Sequence, residues 1–470
     1  SINEYLEKRF MSTAVRSIAS VVFIVQTLLY LGVVLYGPSL ALGSVTGLAV
    51  WSSILLNGFV STFYTTIGGI RAVVWTDVVQ MVLIFVSYFM VIATGVYHVG
   101  GFGNVWKIAG AGGRLVTTNF STSLYPTYTT WNVLMAWTII WMVTYCASQT
   151  QVQRYCSMRS LKKARRAVLL NVPGVTGVQL LSVLSGVTLY AVYGDCDPRL
   201  TGDIDKADQL MPYIVQDLLK NYPGLSGLFV ASVYSGSLST LSSGYNALAA
   251  VTWHDFVLPR VTMSEARALR FTKAMAAAYG VLSISIAFLA GTMESIIQAS
   301  QSLCGALTGP LLAIFVLGMF FPCCKKKGAV AGILVAIAMS SWLALGSIVY
   351  PRHADDLPTS TTGCLEFNET LTAGSFEPPP LPSGIFQFYH ISYTWIGIVG
   401  FIVHMAISLT ISLIFERNEK EDVDPKLICP FVRKYMSNYV KKGTTSILKE
   451  PLAANEVSSL ELKRLMSEEK

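Results

Sequence analysis

Apolar runs of about 20 residues recur along most of this chain, and they limit its fold more than any other feature of the sequence. A run of that length, wound as an α-helix, crosses the hydrocarbon core of a bilayer. Only 13% of the 470 residues are charged, which is about half the fraction usual in a soluble protein. The sequence therefore predicts an all-α, polytopic membrane protein surrounded by a lipid bilayer.

The runs predict about ten membrane-spanning helices, and together these form one transmembrane unit, residues 1–416. The tail, residues 417–470, alternates Lys and Glu and has few aromatic residues, so we expect it to be disordered. The approximate bounds of the predicted spans are 12–37, 46–67, 73–97, 129–149, 167–193, 225–250, 270–290, 296–320, 328–350 and 391–415.

The distribution of cations predicts which loops face the cytoplasm. Cationic loops stay on the cytoplasmic side of a membrane, and this rule explains the net charge of +7 without a nucleic-acid partner. We expect a multi-pass protein of the plasma membrane with its carboxyl terminus in the cytoplasm. With the amino terminus also inside, the inner loops hold Lys8, Arg9, Arg16, Arg71, the Arg154–Arg166 cluster, Arg260, Arg267 and Lys325–Lys327.

Two features of the predicted outer loops agree with this orientation. The sequons at Asn119 and Asn368 lie in outer loops and would accept N-glycans there. Cys196 and Cys364 also fall in outer loops, where an oxidising environment would allow a disulfide between them. Together these features favour a eukaryotic surface protein.

Small hydroxyl residues crowd the middle of one predicted span, residues 228–256. Hydroxyl oxygens suit Na⁺, and a glycine in a helix lets a backbone carbonyl turn toward an ion. The same residues could instead let two membrane helices approach closely, and the spacing alone leaves both interpretations open. Four residues share one face of this helix: Gly236, Ser239, Thr240 and Ser243.

This stretch and the segment Gly68–Asp77, which reads Gly-Gly-Ile-Arg-Ala and then ends Trp-Thr-Asp, resemble the sodium/solute symporter family, the relatives of the sodium–glucose cotransporters. Within that family the chain is most similar to the sodium-coupled monocarboxylate and multivitamin transporters. The resemblance implies a leucine-transporter-type fold of two inverted five-helix repeats. It also implies a sodium site formed by Gly236, Ser239 and Thr240.

The start of the chain resembles an internal loop of that family. Residues 1–10 match the cytoplasmic loop before the third core helix, so we expect the chain to be amino-terminally incomplete. In the family the first core helix breaks at mid-membrane and contributes carbonyl ligands to the sodium and substrate sites. We therefore expect residues 1–470 alone not to transport, and we expect an open groove beside Ser239.

Asp77 is the clearest ionisable residue within a predicted span, and such residues are costly enough to be functional candidates by default. It lies in a run that ends at Gln80 and resembles the family's Thr-Asp-x-x-Gln motif. The resemblance implies a second sodium site made by Asp77 with Ser242 and Ser243. Alternatively, Asp77 forms an ion pair with Arg71 near the inner end of its span.

A dense polar run at the end of the fourth predicted span carries the substrate candidates. Its Gln-x-x-Val-Gln-Arg ending matches the family, and the resemblance implies that Thr144 and Tyr145 line or gate the substrate site. Sugar carriers have an acidic residue at the position of Ser148 and a sugar-binding glutamine at that of Ser302, so both departures argue against a sugar. The candidate substrate-binding residues are Thr144, Tyr145, Ser148, Gln149, Gln301 and Ser302.

The function that the resemblance implies is sodium-coupled symport of small organic anions, above all short monocarboxylates such as lactate, pyruvate or nicotinate. A multivitamin carrier for biotin, pantothenate and lipoate is the alternative within the family, and an ion channel or a membrane receptor is the alternative from another class. The sequence shows no nucleotide-binding loop and no catalytic triad. We therefore expect no enzyme activity and no cofactor, with Na⁺ as the coupling ion.

Overall fold

The computed structural model of this chain describes residues 1–116, 118–220, 222, 224–292, 296–350, 357, 359–364, 384–416 and 423–434. The side chains of residues 68–75 and of Ala299 are not described either. The predicted glycosylation site Asn368 therefore lies outside the described residues, as does most of the predicted tail.

The described residues fold into α-helices joined by turns and loops and contain no strand, which confirms the all-α prediction. The helices are α1 (Glu4–Phe10), α2 (Thr13–Thr46), α3 (Val50–Val99), α4 (Phe102–Ala111), α5 (Thr130–Met142), α6 (Gln149–Cys156), α7 (Leu161–Tyr193), α8 (Leu210–Leu219), α9 (Leu225–Thr252), α10 (Glu265–Ala290), α11 (Ile296–Phe320), α12 (Lys326–Val349) and α13 (Thr394–Ile414).

Seven helical segments in the described part of the chain are long and apolar enough to cross a membrane, or eight if α5 and α6 form one span. The other two predicted spans correspond to α9 and to the first half of α3, in which serines and threonines lower the hydropathy. The 28 residues of α9 still make about 42 Å of helix, enough to cross a bilayer. Large apolar side chains cover the outer surface, with Phe59 68% and Leu170 75% exposed, as a lipid-facing surface requires.

Helix α3 consists of two halves that run in opposite directions, as the two spans predicted for this region require. Asn57 in the first half donates to the backbone carbonyl of Leu35 on α2, and Val91 in the second half packs in one cluster with Ala41 of α2. A straight helix of 50 residues would be about 75 Å long and could not place both halves there. The hydroxyl oxygens of Tyr64 and Thr76 lie 2.7 Å apart, whereas 12 residues of straight helix span about 18 Å.

Helix α11 contains Pro310, and its two neighbours compensate for the interruption. Proline has no N–H, so the carbonyl of Ala306 loses its helical partner; Ser340 on α12 donates to that carbonyl at 2.6 Å. His404 on α13 is fully buried, and its Nδ1–H donates to the carbonyl of Pro310 at 2.7 Å. Gly309 permits the close approach of α13, since a Cβ atom there would lie 1.9 Å from the carbonyl oxygen of Gly397.

One end of the bundle gathers several of the loops that are predicted to be cytoplasmic. Arg9 has no exposed surface, and its guanidinium donates to the carbonyls of Gly318 and Phe321 at the end of α11, where helical carbonyls lack partners. The carboxylate of Glu416 accepts from the backbone N–H groups of Lys327 and Gly328. That position at the start of α12 favours a negative charge.

The described part of the tail, residues 423–434, packs against this end of the bundle. The Tyr5 hydroxyl donates to the carbonyl of Leu427 at 3.0 Å, and the N–H of Cys429 donates to the carbonyl of Met319 at 3.0 Å. Ile428 between them is 2% exposed. A buried apolar side chain and two hydrogen bonds thus anchor this segment of the predicted tail to the bundle.

The opposite end carries the residues that are predicted to be extracellular. Cys196 and Cys364 form a disulfide that joins the segment after α7 to the segment after α12. Asn119 is exposed in the connection between α4 and α5. The predicted inner and outer loops therefore lie at opposite ends of the molecule.

Candidate ion-binding and substrate-binding site

The carboxylate of Asp77, on the second half of α3, lies at the centre of the candidate ion site. The hydroxyl of Ser239 on α9 donates to Asp77 Oδ1 at 2.6 Å. Gln80, one turn further along α3, lies on the same face of the helix and is 8% exposed. Its Oε1 is buried and accepts no hydrogen bond from the described part of the chain. Helices α3 and α9 thus bring a carboxylate and a hydroxyl together, and the amide of Gln80 lies on the same face of α3.

A cation from α6 completes this cluster. The Arg154 Nη2 donates to Asp77 Oδ2 at 3.3 Å and to the hydroxyl of Ser243 on α9 at 3.1 Å. The side chains of Arg154 and Asp77 are 45% and 25% exposed. The ion pair that the sequence suggested for Asp77 was with Arg71, whose side chain is not described; the described partner is Arg154, 77 residues away.

The hydroxyl residues of α9 divide between two faces of that helix. Ser239 and Ser243 are one turn apart, and both meet the Asp77–Arg154 pair. Ser242 is fully buried and donates to the carbonyl of Ser239 at 3.2 Å, within its own helix. Thr240 donates to the carbonyl of Gly236 at 3.1 Å, also within α9.

The grouping of ligands differs from the one predicted. The sequence placed Ser239 with Thr240 and Gly236 in one sodium site, and Asp77 with Ser242 and Ser243 in another. In the structure Ser239 joins Asp77 and Ser243, while Ser242 does not reach the carboxylate. The physical reason is helical geometry, because adjacent residues point about 100° apart around a helix. Ser243 therefore faces Arg154, whereas Ser242 turns into the packed core.

The polar end of the fourth predicted span is broken rather than continuous. Helix α5 passes into a π-helical turn, Val143–Ala147, and Ser148 then adopts an extended conformation before α6 begins. The two helical parts meet at 45°. Turns of this kind are frequent at functional sites, and a break in a membrane helix leaves backbone groups free to bind a solute. The sequence predicted a single span, 129–149, and missed the break.

The four substrate candidates around this break make specific contacts. The Thr144 hydroxyl donates to its own helix, at the carbonyl of Ile140. The Tyr145 hydroxyl accepts a hydrogen bond from the Asn171 side chain on α7, and the Tyr145 carbonyl accepts one from Tyr155 at 3.2 Å.

At the break itself, Ser148 pairs with the Thr150 hydroxyl. The next residue, Gln149, is 5% exposed, and its Oε1 accepts from the backbone N–H of Ile2 at 2.8 Å. Gln149 therefore fastens the start of α6 to the amino-terminal segment.

The two substrate candidates on α11 face different neighbours. Gln301 lines a small gap against Ile140 of α5. Ser302 is fully buried, and its hydroxyl has no hydrogen-bond partner among the described residues. It lies one turn before Ala306, which packs with Leu343 of α12, so Ser302 faces the supporting helices. The structure brings Gln301, but not Ser302, to the broken span.

One concavity borders the ion cluster, and a second lies one turn away along α9. A groove of about 580 Å³ runs along the surface of α3 from Asp77 to Phe89, with apolar side chains along the rest of its lining. A cavity of about 460 Å³ lies among α2, α3, α7, α8 and α9 and is lined by Gly236, Ser185 and Asp208 among others. Gly236 therefore contributes to this cavity, whereas Asp77 borders the groove.

A second charged cluster lies at the end of the bundle that holds Arg9. Asp255, in the π-helical turn Trp253–Val257 after α9, has a fully buried carboxylate. Arg16 on α2 donates to it at 2.7 and 3.0 Å, and Ser20 donates at 2.6 Å. Burial raises the pKa of the Asp255 carboxyl, but the hydrogen bonds from Ser20, Arg16 and Asn3 outweigh burial and hold the pKa below its usual value. This pair locks α9 to α2.

Sequence reasoning did not assign a function to Arg154 or to Gln80, although both stand in the motifs that it quoted. Gln80 could have been found from its i+3 spacing to Asp77. Arg154 could not, because it reaches Asp77 only when α6 folds back against α3 and α9. Chemically, the cluster offers hard oxygen ligands to a small cation, and the broken span beside it offers backbone groups to a solute.

Comparison with known proteins points to one family. The model of the sodium:solute symporter family matches residues 1–336. The sodium-coupled monocarboxylate transporter 2 of Homo sapiens is 41% identical over 439 residues, which are 92% of this chain and 70% of that protein. The sodium-coupled monocarboxylate transporter 1 of Homo sapiens is 38% identical over 456 residues, 93% of this chain and 74% of that protein. The sodium/iodide cotransporter of Homo sapiens is 35% identical over 474 residues, 96% of this chain and 73% of that protein.

A solved structure is similar as well. It is a Na⁺-coupled sialic acid symporter in a substrate-bound, outward-open state, with a TM-score of 0.68 and 21% sequence identity. The match covers 88% of this chain and 77% of that one. This likeness shows the fold, and it confirms the leucine-transporter type predicted from the sequence.

Proposed function

This chain belongs to the sodium:solute symporter family, and from that premise we propose that it is a secondary transporter that couples Na⁺ to the uptake of short monocarboxylates. The observation that supports this most is the cluster in which Ser239 and Ser243 of α9 meet Asp77 of α3. It lies against the broken span. The relatives that are 38–41% identical carry monocarboxylate in their names, which favours that substrate class over sugars.

The ion site that we propose is formed by oxygen atoms of α3 and α9. Na⁺ is a hard cation, and like other hard cations it suits carboxylate, carbonyl and hydroxyl oxygens. Asp77 supplies the negative charge, Ser239 and Ser243 supply hydroxyls, and the unpartnered Oε1 of Gln80 supplies a neutral oxygen. Thr240 and Gly236 of the predicted first site lie within one turn of Ser239 and border the proposed ion site.

The substrate site that we propose is the break between α5 and α6. The first N–H groups of α6 have no partner within that helix, and the start of a helix favours a carboxylate. The break follows directly after Thr144 and Tyr145 and includes Ser148. Gln301 of α11 lies against the adjoining turn of α5. A small carboxylate at this position would be close to the ion cluster, because Arg154 of the same short helix contacts Asp77.

The charge balance of symport favours more than one ion for each substrate. One Na⁺ moving down about 100 mV supplies roughly 2.3 kcal/mol, to which its concentration gradient adds. A monocarboxylate moves against the same potential, so one Na⁺ gives an electroneutral cycle. Accumulation of substrate against its gradient is stronger when a second Na⁺ enters, which is why a site at Asp77 would matter to the coupling.

Uptake of labelled solutes tests this function. We expect cells that express the full-length protein to take up labelled lactate and nicotinate when Na⁺ is present and not when choline replaces it. Accumulation above the equilibrium concentration would distinguish a transporter from a channel. Biotin and iodide belong in the same assay, because the multivitamin alternative and the iodide-carrying relative predict them. Na⁺-independent uptake would reject the proposed coupling. A preference for biotin or iodide over every monocarboxylate would reject the proposed substrate.

The two hydroxyl residues at the predicted first sodium site should differ in effect. Ser239→Ala removes the hydroxyl that contacts Asp77, so we expect the Na⁺ concentration for half-maximal uptake to rise on the order of tenfold, equivalent to about 1.4 kcal/mol. Thr240→Ala removes a hydroxyl that bonds within its own helix, so we expect a smaller rise. Sodium titration of initial uptake rates measures both. Unchanged Na⁺ dependence in the two single variants and in the double variant would remove α9 from the ion site.

The Cys196–Cys364 disulfide supports the orientation that we propose. Disulfides persist in oxidising compartments, so the end of the bundle that carries this one would face the outside of the cell. The opposite end, with Arg9, Arg16 and the described part of the tail, would then face the cytoplasm, in agreement with the distribution of cations. We propose the plasma membrane as its location.

A further inference from the structure

The protein itself places a cation on two of the proposed sodium ligands. Arg154 Nη2 lies 3.3 Å from Asp77 Oδ2 and 3.1 Å from Ser243 Oγ. The other oxygen of Asp77 accepts from Ser239. A guanidinium nitrogen therefore lies between the carboxylate of α3 and a hydroxyl of α9, where a metal cation would contact both.

We propose that Arg154 is a tethered counter-cation that competes with Na⁺ for Asp77 and Ser243. This inference rests on the proposed function and concerns the same ion site. Na⁺ at the position now held by the Arg154 nitrogen would contact the same two oxygens, and two cations placed side by side there repel each other. When Na⁺ binds, Arg154 leaves the pair; when Na⁺ departs, Arg154 returns and neutralises Asp77. The carboxylate is therefore never left without a cation inside the bundle.

The exposure of the pair makes this exchange feasible. The Arg154 side chain is 45% exposed and that of Asp77 is 25% exposed, so the guanidinium can move into solvent without crossing a packed core. Ion pairs that are partly exposed contribute little net stability, because water solvates the separated charges nearly as well. Release of Arg154 therefore costs little free energy. The Arg16–Asp255 pair, with a fully buried carboxylate, could not exchange in this way.

The position of Arg154 on the short helix α6 connects the exchange to the broken span. The helix has eight residues, begins just after Ser148 and ends at Cys156. The neighbouring residue Tyr155 donates to the carbonyl of Tyr145, inside the π-helical turn. With its guanidinium released, α6 loses one of its ties to α3 and α9, and Tyr155 and the turn that carries the substrate candidates become freer to move. Arg154 is thus a positioning residue that transmits ion binding to the proposed substrate site.

Sodium titration of three variants tests the competition. If Arg154 occupies Asp77 about nine-tenths of the time, only about one molecule in ten is free to bind Na⁺. Arg154→Gln frees the site in every molecule, so the half-maximal Na⁺ concentration should fall about tenfold. Arg154→Lys keeps the charge, so its half-maximal Na⁺ concentration should remain closer to that of the parent protein. The matched control is Arg159→Gln, an exposed cation on the same segment with no described contact to Asp77. A parent-like Na⁺ dependence in Arg154→Gln would overturn the proposal.

A second measurement does not depend on the expression of variants. Cys156 is an exposed free thiol two residues after Arg154, and Cys323 is an exposed free thiol at the far end of α11. We expect Na⁺, compared with choline, to speed maleimide labelling of Cys156 in the unmodified protein and to leave Cys323 unchanged, as read by mass spectrometry. Equal labelling of Cys156 with and without Na⁺ would overturn the proposal.

The two hypotheses can fail separately. Absence of any Na⁺-dependent uptake in the parent protein rejects the proposed function. Normal Na⁺-dependent uptake, together with an Arg154→Gln variant that titrates like the parent, rejects the counter-cation alone. Arg154→Gln with tighter Na⁺ binding and an unchanged substrate KM would show that Arg154 competes with the ion but does not act on Tyr145, which contradicts the transmission step.

Discussion

Asp77→Asn is expected to weaken sodium dependence more than any other single change in the candidate site. The substitution keeps the size of the side chain and removes the charge that Ser239 and Arg154 both contact. A lost charge-assisted contact of about 2.8 kcal/mol corresponds to a rise of roughly 100-fold in the half-maximal Na⁺ concentration. Initial uptake rates across a sodium series, together with the ratio of Na⁺ to substrate taken up, measure the effect.

The control for this substitution is Asp205→Asn, which removes an exposed carboxylate near the opposite end of the bundle. We expect it to leave the sodium series unchanged. Surface expression of Asp77→Asn should remain close to that of the parent, because the side chain is partly exposed and its ion pair adds little to stability. If Asp77→Asn had normal Na⁺ affinity and a normal ratio of Na⁺ to substrate, the role of Asp77 would be structural and not ion binding.

Asp255→Asn is expected to have the largest effect on stability. It leaves Arg16, whose side chain is 15% exposed, with only the more exposed Glu7 as a charged partner. It also places an amide N–H group among the donors of Arg16 and Ser20. Breaking a buried ion pair from one side costs about 3–5 kcal/mol. We therefore expect a marked fall in the midpoint of thermal unfolding in detergent, and a smaller amount of protein at the cell surface.

Two comparisons make that result specific. Glu7 is the other partner of Arg16 and is 30% exposed, so Glu7→Gln should cost below about 1 kcal/mol. Because the folded-state pKa of Asp255 is lowered, its contribution is present above the unfolded pKa of about 4 and is lost as the pH falls further. The acid limb of the stability profile should flatten in Asp255→Asn. Equal losses from Asp255→Asn and Glu7→Gln would contradict the role assigned to burial.

The sequence predicted those features that depend on local patterns. Apolar runs gave the helices and most of their bounds, because length and hydropathy are properties of a single segment. The hydroxyl stretch pointed to Ser239 and Ser243 because helical spacing fixes which residues share a face. Even the opposite directions of the two halves of α3, divided between Ile67 and Thr76, followed from the limited length of a membrane span.

Features that depend on contacts between distant segments could not be predicted in this way. The break at Ser148 could not be predicted because the run 129–149 is apolar enough to form one continuous helix. Its polar end indicates substrate-binding side chains and gives no sign that the helix stops there. Arg154 was assigned to a cluster of loop cations, since its pairing with Asp77 joins residues 77 positions apart. The resemblance implies Ser242 and Ser243 together, and the two differ only once the helix has packed, with Ser242 buried and Ser243 facing Arg154.

The hydrogen bonds around Pro310 affect how far α11 can bend. A proline inside a membrane helix normally acts as a hinge, since one backbone hydrogen bond is missing and the chain can flex there. In α11 the hinge is locked from both sides, by Ser340 at the carbonyl of Ala306 and by His404 at the carbonyl of Pro310. We therefore expect helices α11, α12 and α13 to move as one rigid unit. During transport we expect the chain to bend instead at the break between α5 and α6, where Ser148 leaves the helical conformation.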